Sequence, residues 1–439
     1  MQIRRRWNNK IYGVSFSFFT ILILTLLLSF FFLDSTLTTA TPSVKSDCSF
    51  SSFTATNSAQ VASVAACETA VGEVTINGDA FGTVELTGLE QLYGDLSILN
   101  ATQATTVNAP TLQLVSGALE INANTILANL NLAQLTTVGT FNLNALPALE
   151  STGLTAGLTS AEEIIISDTG LNQLTGINVY KLKVFNVNNN DDIDTIDSGL
   201  QEVTDTIDIS YNAEKVDVIL NQLSSAKNII LQSINSFQAP NLTVANGSIA
   251  FTSSSIEEIK FANLKSIGNS LTINKNDDLE ELDFPKLTSI GGALQISDNE
   301  NLKSLDGFSE LETVGGSVNI NGSFDNGTFD SLSRVSGGFI LKIDGELSCS
   351  AFNKLNSNGD VKGDKFQCQD KVTTSSSSSA KSSATGSSSD STDGSSSGSD
   401  SSSSESGSSS STKASEGASN VGKLASVVAA FAAVGVALI

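Results

Sequence analysis

The chain has no histidine, a single methionine, a single tryptophan, four cysteines and only 23 basic residues against 46 acidic ones. Without histidine, a serine or cysteine nucleophile lacks its usual imidazole base, so Ser-His and Cys-His catalysis are excluded. A formal net charge of −23 repels nucleic acid and anionic lipid headgroups. No basic stripe with interleaved aromatics is present, which argues against nucleic-acid binding. Aromatic residues make up 6% of the chain, leaving little material for an exposed aromatic binding cluster.

What is abundant is repetition. Leu264 to Ile320 reads as three lines that align column by column. Leu264, Leu287 and Leu311 open them, and Ile267, Ile290 and Val314 follow three residues on. Gly268, Gly291 and Gly315 come next. Each line then carries an apolar–x–apolar triplet: Leu271-x-Ile273, Leu294-x-Ile296 and Val318-x-Ile320. The same triplet recurs upstream to Val74-x-Ile76 and downstream to Phe339-x-Leu341, giving thirteen in all, separated by 20–24 residues. A fixed period in the twenties is the mark of a solenoid.

Alternation gives the pattern its meaning. Residues i and i+2 of a strand face one way, so each triplet sends two apolar side chains inward. One coil cannot bury them alone; stacked parallel coils can. Thirteen rungs at about 4.8 Å predict a ladder of roughly 60 Å. The expected fold is therefore an all-β solenoid, a right-handed parallel β-helix or leucine-rich-repeat-like coil, over residues 73–346. An asparagine column (Asn124, Asn190, Asn212, Asn276, Asn299) trails the triplets. Asn tolerates the left-handed region and bonds nearby backbone, which suits a corner after each strand; a ligand-lining role is the alternative.

The cysteines bracket the array. Cys48 and Cys67 precede it, Cys349 and Cys368 follow it, and each pair is 19 residues apart. Two local disulfides closing an N-terminal cap (41–72) and a C-terminal cap (347–371) are expected. A shared zinc site is the other reading, weakened by the absence of a CxxC pair and of histidine. Within the N-terminal cap, Ser58 to Val71 reads as a short helix.

Residues 1–40 combine Arg4-Arg5-Arg6, an apolar run from Ile11 to Leu33 and a small-residue end at Ala40. This is a secretory signal peptide, with an uncleaved signal-anchor as the rival reading because the run is long. Residues 372–414 are dominated by serine and are expected to form a disordered stalk suited to O-glycosylation. Residues 415–439 pair small residues with an apolar terminus, the pattern of a glycosylphosphatidylinositol (GPI) attachment signal. Gly417 is the expected attachment residue, with Ser415 and Asn420 as alternatives; a tail-anchored helix is the competing reading. Five N-x-S/T sequons, Asn100, Asn241, Asn246, Asn321 and Asn326, lie within the solenoid and mark exposed glycosylation sites.

Parallel β-helices include polysaccharide-cleaving enzymes, which need two carboxylates flanking the scissile bond. Candidates are plentiful: Asp191, Asp192, Asp194, Asp197, Asp205, Asp208, Asp277, Asp278, Glu280 and Glu281. Runs of this kind are ordinarily solvated turns. The Asp192/Asp194/Asp197 spacing lacks the glycine and distal glutamate of a calcium loop. No catalytic residue, metal or cofactor is expected.

The LKSIGNSLTINKNDDLEELDF repeat resembles the leucine-rich-repeat-like coil of receptor L domains. With the signal peptide, Cys-bounded caps, serine-rich stalk and GPI signal, the whole chain resembles the fungal cell-wall family named for its extracellular-mutant and sporulation-specific members. That resemblance implies a non-enzymatic, GPI-anchored glycoprotein at the plasma membrane or cell wall. It implies a part in wall organisation and integrity, with wall polysaccharides or other wall proteins as partners. A surface receptor or adhesin using one solenoid face is the alternative. The resemblance supplies no binding motif to carry over residue by residue.

Overall fold

The computed structural model describes residues 41–371. The expectations for 1–40, the serine-rich 372–414 and 415–439, including Gly417, Ser415 and Asn420, lie outside the described residues.

All thirteen triplets are strands of one parallel sheet, and each pairs with its counterpart one coil away. Within the triplets the register does not slip: Leu271 faces Leu294 and then Val318, and Ile273 faces Ile296 and then Ile320. Where one strand carries both lead-in and triplet, a one-residue bulge can fall between them. Every inward triplet side chain, from Val74 to Leu341, is at most 1% exposed. Because the side-chain period is two, a one-residue slip would turn that whole set outward, so burial itself enforces the register.

The lead-in residues form a second edge. Ile267, Ile290 and Val314 are buried in short strands that stack in register. The glycines that follow are required by how closely the coils approach there. A Cβ on Gly291 would lie 2.0 Å from the carbonyl oxygen of Gly268, and one on Gly315 would lie 2.1 Å from that of Gly291. Those turns are tied by hydrogen bonds of 2.8 Å, the Gly291 amide donating to the Ile267 carbonyl and the Gly315 amide to the Ile290 carbonyl.

The third edge follows the asparagines. Leu279 and Leu302 are buried, and short parallel ladders such as Glu258–Lys260 against Glu281–Asp283 complete the coil. Phenylalanines stack along the core beneath this edge. Phe261, Phe284 and Phe308 have ring centroids 5.4 and 5.0 Å apart in successive coils. Such offset stacking adds to the area they bury.

Two strands that the triplet pattern does not include extend the main sheet at its ends. Ser49–Ala55 pairs with the first triplet strand, setting Phe53 against Val74 and Ala55 against Ile76. Phe366–Gln369 pairs with the last, setting Phe366 against Phe339 and Cys368 against Leu341. Both disulfides are present, Cys48–Cys67 and Cys349–Cys368, and no described cysteine is free. The N-terminal helix is shorter than its sequence suggested, Ser58–Ala65 rather than reaching Val71. Its start is fixed by Asn57, whose side chain accepts from the Gln60 amide. Its end is forced because Thr69–Asn77 is taken into the sheet.

Candidate functional site

The corner after each triplet strand is a repeated device. From Asn100 through Tyr211 and Lys275 to Asp298, ten successive corners place a non-glycine residue at φ between +48° and +58°. The left-handed residue is thus the one before the asparagine column, not the asparagine itself as its conformational tolerance suggested. That geometry costs about 1–2 kcal/mol per residue, and two sets of bonds offset it. The corner amide donates to the next coil, as Lys275 does to the Ser297 carbonyl at 3.1 Å. The following asparagine then turns inward. Asn276 is fully buried, accepts from the Ser254 amide at 3.1 Å and donates to the Phe251 carbonyl at 3.2 Å. Asn299 repeats this one coil on, accepting from the Asn276 amide at 2.9 Å and donating to Ile273 at 3.0 Å. Asn124, Asn190 and Asn212 do the same. Buried and saturated by backbone, the column is a structural clamp and does not line a ligand surface.

The acidic runs lie on turns and on the short strands of the third edge. Asp191, Asp192, Asp194, Asp197, Asp277, Asp278, Glu280 and Glu281 are all exposed. Asp277 and Asp278, with Lys275, Asp298, Glu300 and Asp344, border a shallow groove of about 600 Å³. Among the described residues, no group of three or more His, Cys, Asp or Glu is arranged to hold a metal ion.

Asp208 differs from the rest. It points outward from the middle of the main sheet, between Asn186 and Ile230 of the adjoining strands. Burial pushes its carboxyl above the ordinary aspartate range, against the opposing pull of the Ser210 hydroxyl that donates to it.

Asp208 belongs to a surface the sequence reading passed over: the outer face of the main sheet. In each triplet strand, the residue between the two inward positions and the residue after them face out. The second of these columns runs Asn122, Asn144, Ser167, Asn188, Ser210, Gln232, and on through Thr252 and Asn274 to Ser297, in unbroken register. Its members are half-buried, Ser210 more so. They also bond one another and the neighbouring outward column. Ser167 donates to Asn188 at 2.5 Å, Ser297 to Asn274 at 3.3 Å, and Asn122 to Glu120 at 3.1 Å. The signal was visible as the polar partner of each apolar triplet, but the triplets drew the reading inward.

Four of the sequon asparagines, Asn100, Asn241, Asn246 and Asn326, are exposed, and Asn321 is half-exposed at the end of the outward column. The two strongly exposed tyrosines, Tyr180 and Tyr211, are 58% and 53% accessible. They stand at opposite ends of neighbouring strands, before Lys181–Asn188 and after Glu202–Ser210, and so form no aromatic cluster.

A stacked, disulfide-capped coil with a clamped corner and a polar outer sheet is the architecture of a repeat protein that presents surface. The comparisons agree in kind. The chain is 39% identical over 338 residues to the cell surface GPI-anchored protein ECM33 of Candida albicans, spanning 76% of this chain and 82% of that one. It is 34% identical over 321 residues to the cell wall mannoprotein PST1 of Saccharomyces cerevisiae, 72% of each. It is also 34% identical over 300 residues to the cell wall protein ecm33 of Schizosaccharomyces pombe, 68% of this chain and 70% of that one. The chain belongs to this fungal GPI-anchored cell-wall family, which also includes sporulation-specific protein 2. No family model matches it, and no solved structure does.

Proposed function

We propose that this protein is a non-enzymatic, GPI-anchored cell-surface glycoprotein that supports the organisation and integrity of the fungal wall. The observation that carries this reading is the 39% identity across 82% of a cell surface GPI-anchored relative. The solenoid adds a physical reason: its buried asparagines are spent on clamping coils, and the acidic side chains of the runs at 191–197 and 277–281 are exposed to solvent.

In this reading, residues 1–40 are a signal peptide, 41–72 and 347–371 are caps, and 73–346 is the solenoid. Residues 372–414 form a stalk and 415–439 are exchanged for lipid at Gly417, with Ser415 and Asn420 as alternatives. The exposure of Asn100, Asn241, Asn246 and Asn326 supports their use as glycan sites, and Asn321 joins them as a half-exposed fifth. Partners are wall polysaccharides or wall proteins on one side and the membrane, through the lipid, on the other.

The test is release from intact cells. Phosphatidylinositol-specific phospholipase C followed by β-glucanase should free the protein, followed by immunoblot. Retention through both treatments with extraction by detergent alone would point to an uncleaved N-terminal anchor and overturn the reading.

A further inference from the structure

The outer face of the main sheet has the chemistry of a binding surface for one class of polymer. From Glu120 to Ser297 its two outward columns contain asparagine, glutamine, serine and threonine, with Ile165, Ile230 and Ala250 interspersed. Only Glu120 and Asp208 among them are ionisable, on a chain whose net charge is −23. The acidity has been kept off this face. Along these columns a cationic or anionic partner would find few groups to pair with, Glu120 and Asp208 alone being ionisable, whereas a neutral one needs none. The columns themselves carry no aromatic or arginine anchor of the kind on which protein–protein interfaces rely. The one aromatic at their edge is Tyr211, whose hydroxyl accepts from the Gln232 side chain.

Carboxamides and hydroxyls offer both donors and acceptors, which is the requirement for recognising sugar hydroxyls. Here they repeat at the strand spacing of about 4.8 Å, the scale of one sugar ring, along roughly 40 Å from Asn122 to Ser297. Several are already held by one another, Ser167 to Asn188 and Ser297 to Asn274, so little rotamer freedom is left to lose on binding. The Asn142 side-chain oxygen is the single buried side-chain polar atom without a hydrogen-bond partner among the described residues. It stands on the same face, between Glu120 and Ile165. Two sequons stand beyond the ends of the column, while Asn246 follows the lead-in strand Val244–Ala245 of the coil that carries Thr252. Asn100 lies at the corner before Asn122, and Asn321 follows Ser297 as the next but final member of the column.

We propose that this face binds a neutral polysaccharide, extended along the solenoid axis across the Asn122–Ser297 column. The proposal rests on the wall-organising reading and assigns to it a surface and a ligand class.

The experiment uses full-length protein in detergent, co-sedimented with insoluble β-1,3-glucan, with chitin, and with an anionic polyuronate. Retention on glucan or chitin, insensitive to added salt, is expected, and whichever polymer retains the protein identifies the source. The triple variant Asn122→Ala, Asn144→Ala, Asn274→Ala should bind about tenfold more weakly. Asp191→Ala with Asp192→Ala, on an exposed turn, should not change retention. Thermal melts of each variant separate lost binding from lost folding, and Asn144→Lys alone gives a second, single-site reading. No retention on either neutral polymer, preference for the polyuronate, or full retention of a folded triple variant would overturn the proposal. Release by phospholipase would still stand in that case, leaving the wall-organising reading intact without this surface.

Discussion

Asn276 illustrates what a single amide does inside a stack of coils. Its oxygen and nitrogen serve the Ser254 amide and the Phe251 carbonyl of the preceding coil, and its own amide is served by Asn299 of the next. Asn276→Leu keeps the volume but strips those bonds from buried groups. The expected loss is about 2–4 kcal/mol of unfolding free energy, read in a denaturant melt, while Asp277→Leu on the exposed turn should fall within about 0.5 kcal/mol of wild type. Asp208 allows a test of opposite sign. Its carboxyl is raised in the folded state by burial, so folding favours the protonated form. Its contribution is therefore most favourable below the ordinary aspartate value of 3.8 and is lost as pH rises through the elevated folded value. Asp208→Asn should accordingly melt at higher temperature than wild type at neutral pH. The gap should close as pH falls well below the ordinary value of 3.8, where both states of the wild type are protonated.

At the scale of the element, the turn between lead-in and triplet is set by backbone contact. A methyl group at Gly291 meets the Gly268 carbonyl at 2.0 Å, a clash with a backbone atom that no rotamer relieves. Gly291→Ala should cost about 2–4 kcal/mol, whereas Gly82→Ala, with nothing within 4 Å of the new carbon, should be near neutral. Circular dichroism melts of the two variants make the comparison. The triplet strands were legible in the sequence because inward pairs of Leu, Ile, Val and Phe recur on a period of two within a coil and about 22 between coils. The cap strands were not. Phe53-Thr-Ala55 ends on a small residue and Phe366-Gln-Cys368 on a cysteine, and the latter stands 27 residues beyond the last triplet, outside the spacing of the rest. The left-handed corners were equally hidden, since Asn, Ala, Asp, Tyr, Ser and Lys all occupy them. Their conformation is imposed by the stack and has no compositional signature. The outward columns could be read residue by residue, but their joint character exists only once the register lines them up.

At the scale of the whole described body, each coil is held chiefly by its two neighbours, so the terminal strands have a neighbour on one side only. The disulfides compensate there. Replacing both Cys48 and Cys67 by serine should remove about 3 kcal/mol from a loop of this size. The loss should be local. Hydrogen exchange is expected to accelerate first in Ser49–Ala55 and to leave Leu271–Asn274 unchanged, whereas uniform acceleration would mean the stack unfolds as one cooperative unit. The unslipping register has a different consequence, for heredity. Cutting out one complete coil would still leave every inward pair opposite another, and adding one would too, whereas a gain or loss of a single residue within a triplet would turn a side inside out. Between lead-in and triplet the stack already absorbs one as a bulge. The number of rungs is therefore expected to change in whole-coil steps, while single residues are gained or lost in the connections, whose lengths already spread the triplet spacing over 20–24 residues. The reach of the protein becomes a quantity that can drift or be selected one strand spacing at a time.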